Sequence, residues 1–455
     1  MFSFLNSAMA SATQRFLNFD LAKNDVKALN ATFSTAVEIH FVIAAIVVLL
    51  SETVGIWFLN NKMIIPAERM TAAVFVLQCS IVTMVINIIS VPYNAAIIAH
   101  EKMKAFAYIS LVEAALKLLV VAILYYLPFD KLKVYAFLIL IISLTIRFLY
   151  TTYSHKNFEE THFKFVFDFD RIRRMGGFAS WNLIGNLALV GLTQGLNMLL
   201  NVFFGPVVNA ARGVAVQVQS AVQQFATNFQ TAVNPQITKS YAVGDLPYMH
   251  SLICRGCKFS FFMVFLLSLP IIIMVDQALV LWLKTPPDYA SAFLQIILVN
   301  SMVDCLSNPL NNAVSASGII RNFQLTNGLF MLLVVPVAYF ALKLDANPVW
   351  VFVAQLIMTS IAHFLKLLFA KKRVGLSVAL FAKNVYLPVV SVALISPIIP
   401  IVVYRIIEHT ILNFLLTGCL CVIAVVLTVY AVGLQSNERK LINKKLCNII
   451  NRIKS

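Results

Sequence analysis

Between Asn209 and Asp245 the sequence reads NAARGVAVQVQSAVQQFATNFQTAVNPQITKSYAVGD, which is long enough to span a membrane yet carries Arg212, Gln217, Gln219, Gln223, Gln224, Asn228 and Gln230. Unpaired polar groups are costly in hydrocarbon, so such a helix has to face other helices or a water-filled interior. Gln217, Gln224 and Asn228 fall on one helix face, with Gln223 beside them. In the segment before it, Gln194, Asn197 and Asn201 recur at three- and four-residue spacing and share a face of their own. Amides donate and accept together, as hydroxyl-rich ligands require. Any one of them can equally serve as interhelical glue among small residues. Two adjoining helices this polar favour a wet cavity.

Ionisable groups inside apolar segments are functional candidates by default. Arg212 lies in the first turns of the polar helix, where it can turn into a cavity or snorkel to the interface. Arg15 stands near the end of its own segment. Lys117 has Glu113 one turn earlier, a spacing at which the two can neutralise each other. Asp304, in LVNSMVDCLSNPLNNAV, is the strongest acidic candidate for coupling to H+ or Na+; Glu38 and Glu113 are further ones. Their alternative role is hydrogen bonding between packed helices.

These residues sit in a chain that is 60% hydrophobic and only 12% charged, with mean hydropathy +0.86, which excludes a soluble globule. Windows of about 20 residues predict twelve full spans: 34–59, 70–98, 106–127, 133–153, 177–204, 208–234, 256–283, 290–316, 320–342, 348–370, 385–406 and 411–434. A partial span, 1–17, precedes them. Most lysines and arginines, Arg147, Lys258 and Lys366 among them, fall to one side if the faces alternate. The opposite side takes only Lys62, Arg69, Lys131, Lys133, Lys284, Lys343 and Arg405. The positive-inside bias then puts the C-terminus in the cytoplasm. It also accounts for the net charge of +16 as an insertion signal, with no need for nucleic acid as a partner. Cys254 and Cys257 form a C-x-x-C with no second pair at zinc spacing and read as ordinary helix residues. The tail, with Leu441, Ile442, Leu446, Ile449, Ile450 and Ile453 opposite basic residues, reads as an amphipathic helix on an anionic leaflet.

A weak repeat runs through the chain. SVPYNAAIIAHEKMKAF from Ser90 aligns without a gap on SNPLNNAVSASGIIRNF from Ser307, an offset of 217 residues that matches Pro92 with Pro309, Asn94 with Asn311 and Phe106 with Phe323. Parallel repeats of this kind are common in secondary transporters. Gln14 and Gln236 correspond at a similar offset, and before Gln236 two spans are present. The symmetry therefore predicts that the first half lacks a helix and part of another, roughly 45 residues at about 20 per span, which would make Met1 an internal methionine of a longer reading frame or the chain the product of a truncated gene.

The predicted fold is an all-α integral membrane protein. It has two pseudo-symmetric six-helix lobes, the first incomplete, plus two further transmembrane helices. The expected parts are an N-terminal lobe 1–153, a cytoplasmic connector 154–175, a C-terminal lobe 176–372, two additional helices 373–434 and the basic tail 435–455. Together with the stretches SAMASATQRFL, RRMGGFASWNLIGNLALVGLTQGLNMLLNVFFGPVVNAARGVAVQV and AVNPQITKSYAVGD, this plan resembles the polysaccharide (O-antigen, Wzx-type) flippase branch of the multidrug/oligosaccharidyl-lipid/polysaccharide exporter superfamily. The resemblance implies a non-enzymatic flippase of the bacterial plasma membrane. The expected cargo is an undecaprenyl-diphosphate-linked oligosaccharide, moved to the outer leaflet through a cavity that alternates its opening. Arg212, Arg15, Lys117, Gln194, Asn197, Asn201, Gln217, Gln224 and Asn228 would line that cavity, cations for phosphate and amides for sugar. Expected partners are this substrate, membrane lipids and H+ or Na+; no cofactor is expected, and no Walker-type phosphate loop is present. The alternatives are a cation-coupled multidrug antiporter of the same superfamily and a membrane-embedded glycan polymerase or ligase. The latter needs a large outer loop, and no outer connector exceeds about a dozen residues.

Overall fold

The computed structural model describes residues 3–61, 65–126, 128–165, 168–344, 347–407, 410–440 and 443. All six apolar residues of the expected tail helix lie outside the described residues. Eleven helical stretches among the described residues are long and apolar enough to cross a membrane, and the described chain has no strands. In order the helices are α1 Ser3–Ala22, α2 Val26–Leu50 running on through a π-helical turn into α3 Ile56–Asn61, α4 Met70–Ala99, α5 Met103–Tyr126, α6 Lys131–Asn157 and α7 Phe169–Ala242. They continue with α8 Leu246–Ile273, α9 Val275–Leu283, α10 Ala290–Cys305, α11 Asn308–Ala316, α12 Arg321–Lys343 and α13 Val349–Val374. The last are α14 Val378–Phe381, α15 Leu387–Ile395, α16 Ile398–Ile406 and α17 Ile411–Thr428.

Helix breaks follow from local chemistry. The 74-residue α7 contains Gly205 at φ 78°, followed by Pro206, so the helix divides where the sequence leaves a gap between two predicted spans. Only glycine enters that conformation without strain. The stretch expected as one span over 256–283 is broken at Met274, four residues after Pro270, where Met274 N donates to Pro270 O at 3.1 Å to close α8 and α9 then starts. Likewise 290–316 divides into α10 and α11, with Pro309 in the first turn of α11. The matching Pro92 lies inside an unbroken α4, so the two repeats differ at this point.

The repeat is nevertheless visible in the turns. Glu101 (φ 57°) and Gly318 (φ 78°), at the same offset as the sequence match, both take the left-handed conformation that ends a helix before a short turn. Asn24 (φ 54°) and Gly244 (φ 80°), at a slightly larger offset, form a second left-handed pair. Each is followed by an aspartate, Asp25 or Asp245, whose side chain caps the next helix by accepting from Ala28 N or Tyr248 N.

The chain divides into two compact units. Unit 1 comprises 1–186 with 238–243, and unit 2 comprises 187–237 with 244–455. In unit 1, α4 packs on α6, α2 and α1 around Leu17, Phe33, Tyr93, Ile97, Ile142, Ile146 and Tyr150. The segment after α6 is folded onto α2: Asn30 Nδ2 donates to the carbonyls of Glu160 (2.9 Å) and His162 (3.1 Å). Arg171 Nη1 donates to Ala28 O and Thr32 Oγ1, both at 2.6 Å. Glu160 is buried and pairs with His100.

In unit 2, α13 packs on α12, α10 and α11, and α8 on α10 and α17. Gly191 and Gly195, one turn apart, let α7 approach α12 closely; a Cβ on Gly195 would lie 2.7 Å from Val335 Cγ2. Gly195→Leu is therefore expected to destabilise unit 2 by about 1–3 kcal/mol through overpacking. Thermal unfolding in detergent micelles measures this, and an unchanged midpoint would contradict the close approach.

Candidate functional site

Unit 1 holds a pocket of about 460 Å³ between α1, α4, α5 and α6, lined by Gln14, Asn87, Ser90, Asn94, Glu113, Lys117, Ser143, Arg147 and Tyr150, among others. Two residues singled out in the sequence meet here as an ion pair: Lys117 Nζ donates to Glu113 Oε1 at 2.6 Å, with both side chains at least a third exposed. The central cation is Arg147, which sequence reading counted among the charges of one membrane face. It lies well inside α6, with its guanidinium 5.8 Å from the Tyr93 ring centroid. Its buried Nη1 has no hydrogen-bond partner among the described residues. Tyr150, one turn on, hydrogen-bonds Asn94. Arg147 and Tyr150 share a helix face, and Asn87, Ser90 and Asn94 share another, so polar groups at helical spacing in α4 and α6 were the signal available in sequence.

Arg15 lies elsewhere in unit 1. Its guanidinium stands 4.8 Å from the Phe16 ring centroid and 5.2 Å from that of Phe178, a cation–π setting. Glu38 is half-buried in α2.

In unit 2, Arg212 is 8% exposed and donates to Asn197 Oδ1 and to Thr193 O (3.3 Å). It thereby ties together the two legs of α7 on either side of Gly205. Asn197 is thus joined to Arg212, while its expected face-mates Gln194 and Asn201 are exposed. Gln217, Gln224 and Asn228 are also exposed, and Gln224 Nε2 donates to Asn228 Oδ1 at 2.8 Å. The opposite face of this leg buries Ala211, Ala215, Val222 and Ala226. Gln230 is fully engaged: it donates to Ser260 Oγ (2.8 Å) and Cys305 O (3.0 Å) and accepts from Asn308 (3.0 Å).

A second polar cluster of unit 2 surrounds Asp304, which is half-buried at the end of α10. Its electrostatic neighbour on α13 is Lys366, 4% exposed, another residue that sequence reading placed at a membrane face. One turn before Lys366, His363 bridges Ser307 Oγ through Nδ1 and Tyr386 OH through Nε2, each at 2.9 Å. Among the described residues no group of three or more His, Cys, Asp or Glu side chains is placed to hold a metal ion. Cys254 and Cys257 are buried free thiols, and Cys257 Sγ donates to Leu306 O at 3.1 Å.

The fold is that of the MATE transporters of the MOP superfamily. A MATE structure carrying a single proline-to-alanine substitution superimposes with a TM-score of 0.71 at 12% identity, covering 82% of this chain and 84% of that one. An outward-facing MATE multidrug-resistance transporter gives 0.69 at 11% identity, with 82% and 84% covered. A MOP superfamily transporter from Pyrococcus furiosus, described as having a binding pocket of reverse polarity, gives 0.66 at 13%, with 82% and 84% covered. No family model and no curated protein sequence matches the chain.

Proposed function

We propose that the chain is a secondary transporter of the bacterial plasma membrane. It moves an undecaprenyl-diphosphate-linked oligosaccharide from the inner to the outer leaflet by alternating access, for synthesis of surface polysaccharide. The observation that carries this reading is the unpaired Nη1 of Arg147 in the unit 1 pocket, among Lys117 and amide and hydroxyl side chains. A guanidinium offers parallel donors to a phosphate, and the surrounding Asn and Ser groups suit sugar hydroxyls. The exposed amides Gln194, Asn201, Gln217, Gln224 and Asn228 belong to the same reading, since lipid-facing amides are unfavourable. The lysine and arginine bias supports a cytoplasmic C-terminus.

The second reading, a cation-coupled multidrug antiporter, has in its favour the multidrug function named for one structural neighbour. Against it stands the unit 1 pocket, where the lining carboxylate Glu113 is already paired with Lys117. Proteoliposomes separate the two. Flipping of a fluorescent undecaprenyl-diphosphate oligosaccharide without ethidium efflux is the expected result. Ethidium efflux without flipping would replace the proposal by the antiporter.

Asp304, with Lys366 and the Ser307–His363–Tyr386 chain, is the proposed route for the coupling ion. Asp304→Asn is expected to abolish acceleration of flipping by an imposed H+ or Na+ gradient while sparing gradient-free exchange. Undiminished acceleration under both gradients would exclude this role.

A further inference from the structure

A pocket of about 370 Å³ opens in unit 2 between α8, the segment around Asn384 and the start of the tail. It shares no residue with the polar clusters described above. Three ionised groups define its chemistry. Lys258 is 1% exposed, and its Nζ donates to Glu438 Oε2 at 2.5 Å. Arg255, one turn earlier and partly exposed, reaches the other oxygen of the same carboxylate only at 3.8 Å. Glu438 itself is 5% exposed. One monoanion therefore serves two cations, the first tightly and the second poorly.

Glu438 belongs to a short segment that is latched down on both sides. Gln435 Nε2 donates to Asn384 Oδ1 at 2.9 Å, and Arg439 Nη2 donates to Ala431 O at 2.5 Å. Gln435 N also donates to Glu438 Oε2 at 2.9 Å. The carboxylate is thus delivered into the pocket by the start of the tail, whereas both cations are fixed on a membrane helix. The free volume beside them is several times the roughly 30 Å³ that a water occupies in the liquid. There is room for an anion larger than a carboxylate.

We propose that Lys258 and Arg255 form a phosphate-binding site and that the Glu438 carboxylate is its built-in occupant, displaced when the tail segment lifts. A phosphate monoester carries up to two charges and three acceptor oxygens, which matches two cations better than one carboxylate does. The phosphate can come from a lipid headgroup or from solution. The inference does not depend on which substrate the protein transports.

The test uses the full chain purified in neutral detergent, titrated separately with inorganic phosphate and with phosphatidic acid, and phosphatidylcholine as control. Glu438→Gln removes the competing charge and is expected to raise phosphate affinity by about tenfold or more, the effect of one charge-assisted contact. Glu438→Asp keeps the charge on a shorter arm and is expected to fall between Glu438→Gln and the native chain. It also keeps the test decisive if Glu438→Gln does not fold. Adding Arg255→Gln to either variant should remove the gain. A gain with phosphatidic acid alone assigns the site to a lipid headgroup, and a gain with both ligands assigns it to the phosphate group itself. Equal affinities in the native and Glu438 variants, or a gain that survives Arg255→Gln, would overturn the proposal.

Discussion

Lys258→Met is expected to destabilise the protein by about 3–5 kcal/mol, the usual cost of leaving one member of a buried ion pair without its partner. Glu438 would remain in its pocket, 5% exposed, with Arg255 at 3.8 Å as its nearest cation. The alternative open to it is to leave, which breaks the contacts of Gln435 and Arg439 that hold the segment. Lys258→Met/Glu438→Met should recover most of the loss, because desolvating two charges offsets much of their attraction and an apolar pair carries no such penalty. A double-mutant cycle from thermal unfolding in micelles gives the coupling directly. A single variant with the native midpoint would show that the pair contributes nothing.

Arg147→Gln is expected to slow flipping of a diphosphate-linked lipid by about 10- to 100-fold, since hydrogen bonds to charged groups are worth about 1.5–3 kcal/mol. The substitution keeps a donor and much of the volume but removes the charge. Arg147→Lys keeps the charge and loses the fork, so its rate should fall between the two. The measurement is surface polysaccharide in a flippase-deleted bacterium, together with accumulation of the lipid-linked precursor in the inner leaflet. Native rates for Arg147→Gln at normal membrane levels would remove Arg147 from the substrate path. A loss confined to stability would leave it a packing residue against Tyr93.

The all-helical membrane architecture was legible because apolar windows and glycine–proline punctuation are local signals. Gly205-Pro206 marks one helix break in the sequence itself. The repeat, weak as an alignment, is repeated in backbone geometry: Glu101 and Gly318 turn the chain the same way, as do Asn24 and Gly244. What sequence reading missed was burial. Arg147, Lys258 and Lys366 look like members of a basic flank, because a lysine near a span end is usually an orientation signal. Whether it faces water depends on partners far away in the chain, and Glu438 lies 180 residues from Lys258. The amides show the converse limit. Helical spacing groups Gln194, Asn197 and Asn201 on one face, but it could not tell that Arg212 engages Asn197 and leaves the other two exposed.

The division of the chain bears on how the protein is made. Unit 1 is not contiguous: it needs residues 238–243, among them Lys239, whose ammonium meets Glu101 at 2.7 Å, and the buried Thr238 and Ser240. Residues 187–237, which belong to unit 2, are synthesised before that piece emerges. The first unit therefore cannot be completed in strict N-to-C order. A gene split at residue 186 would separate unit 1 from its own last segment, whereas a split after residue 243 would leave it whole.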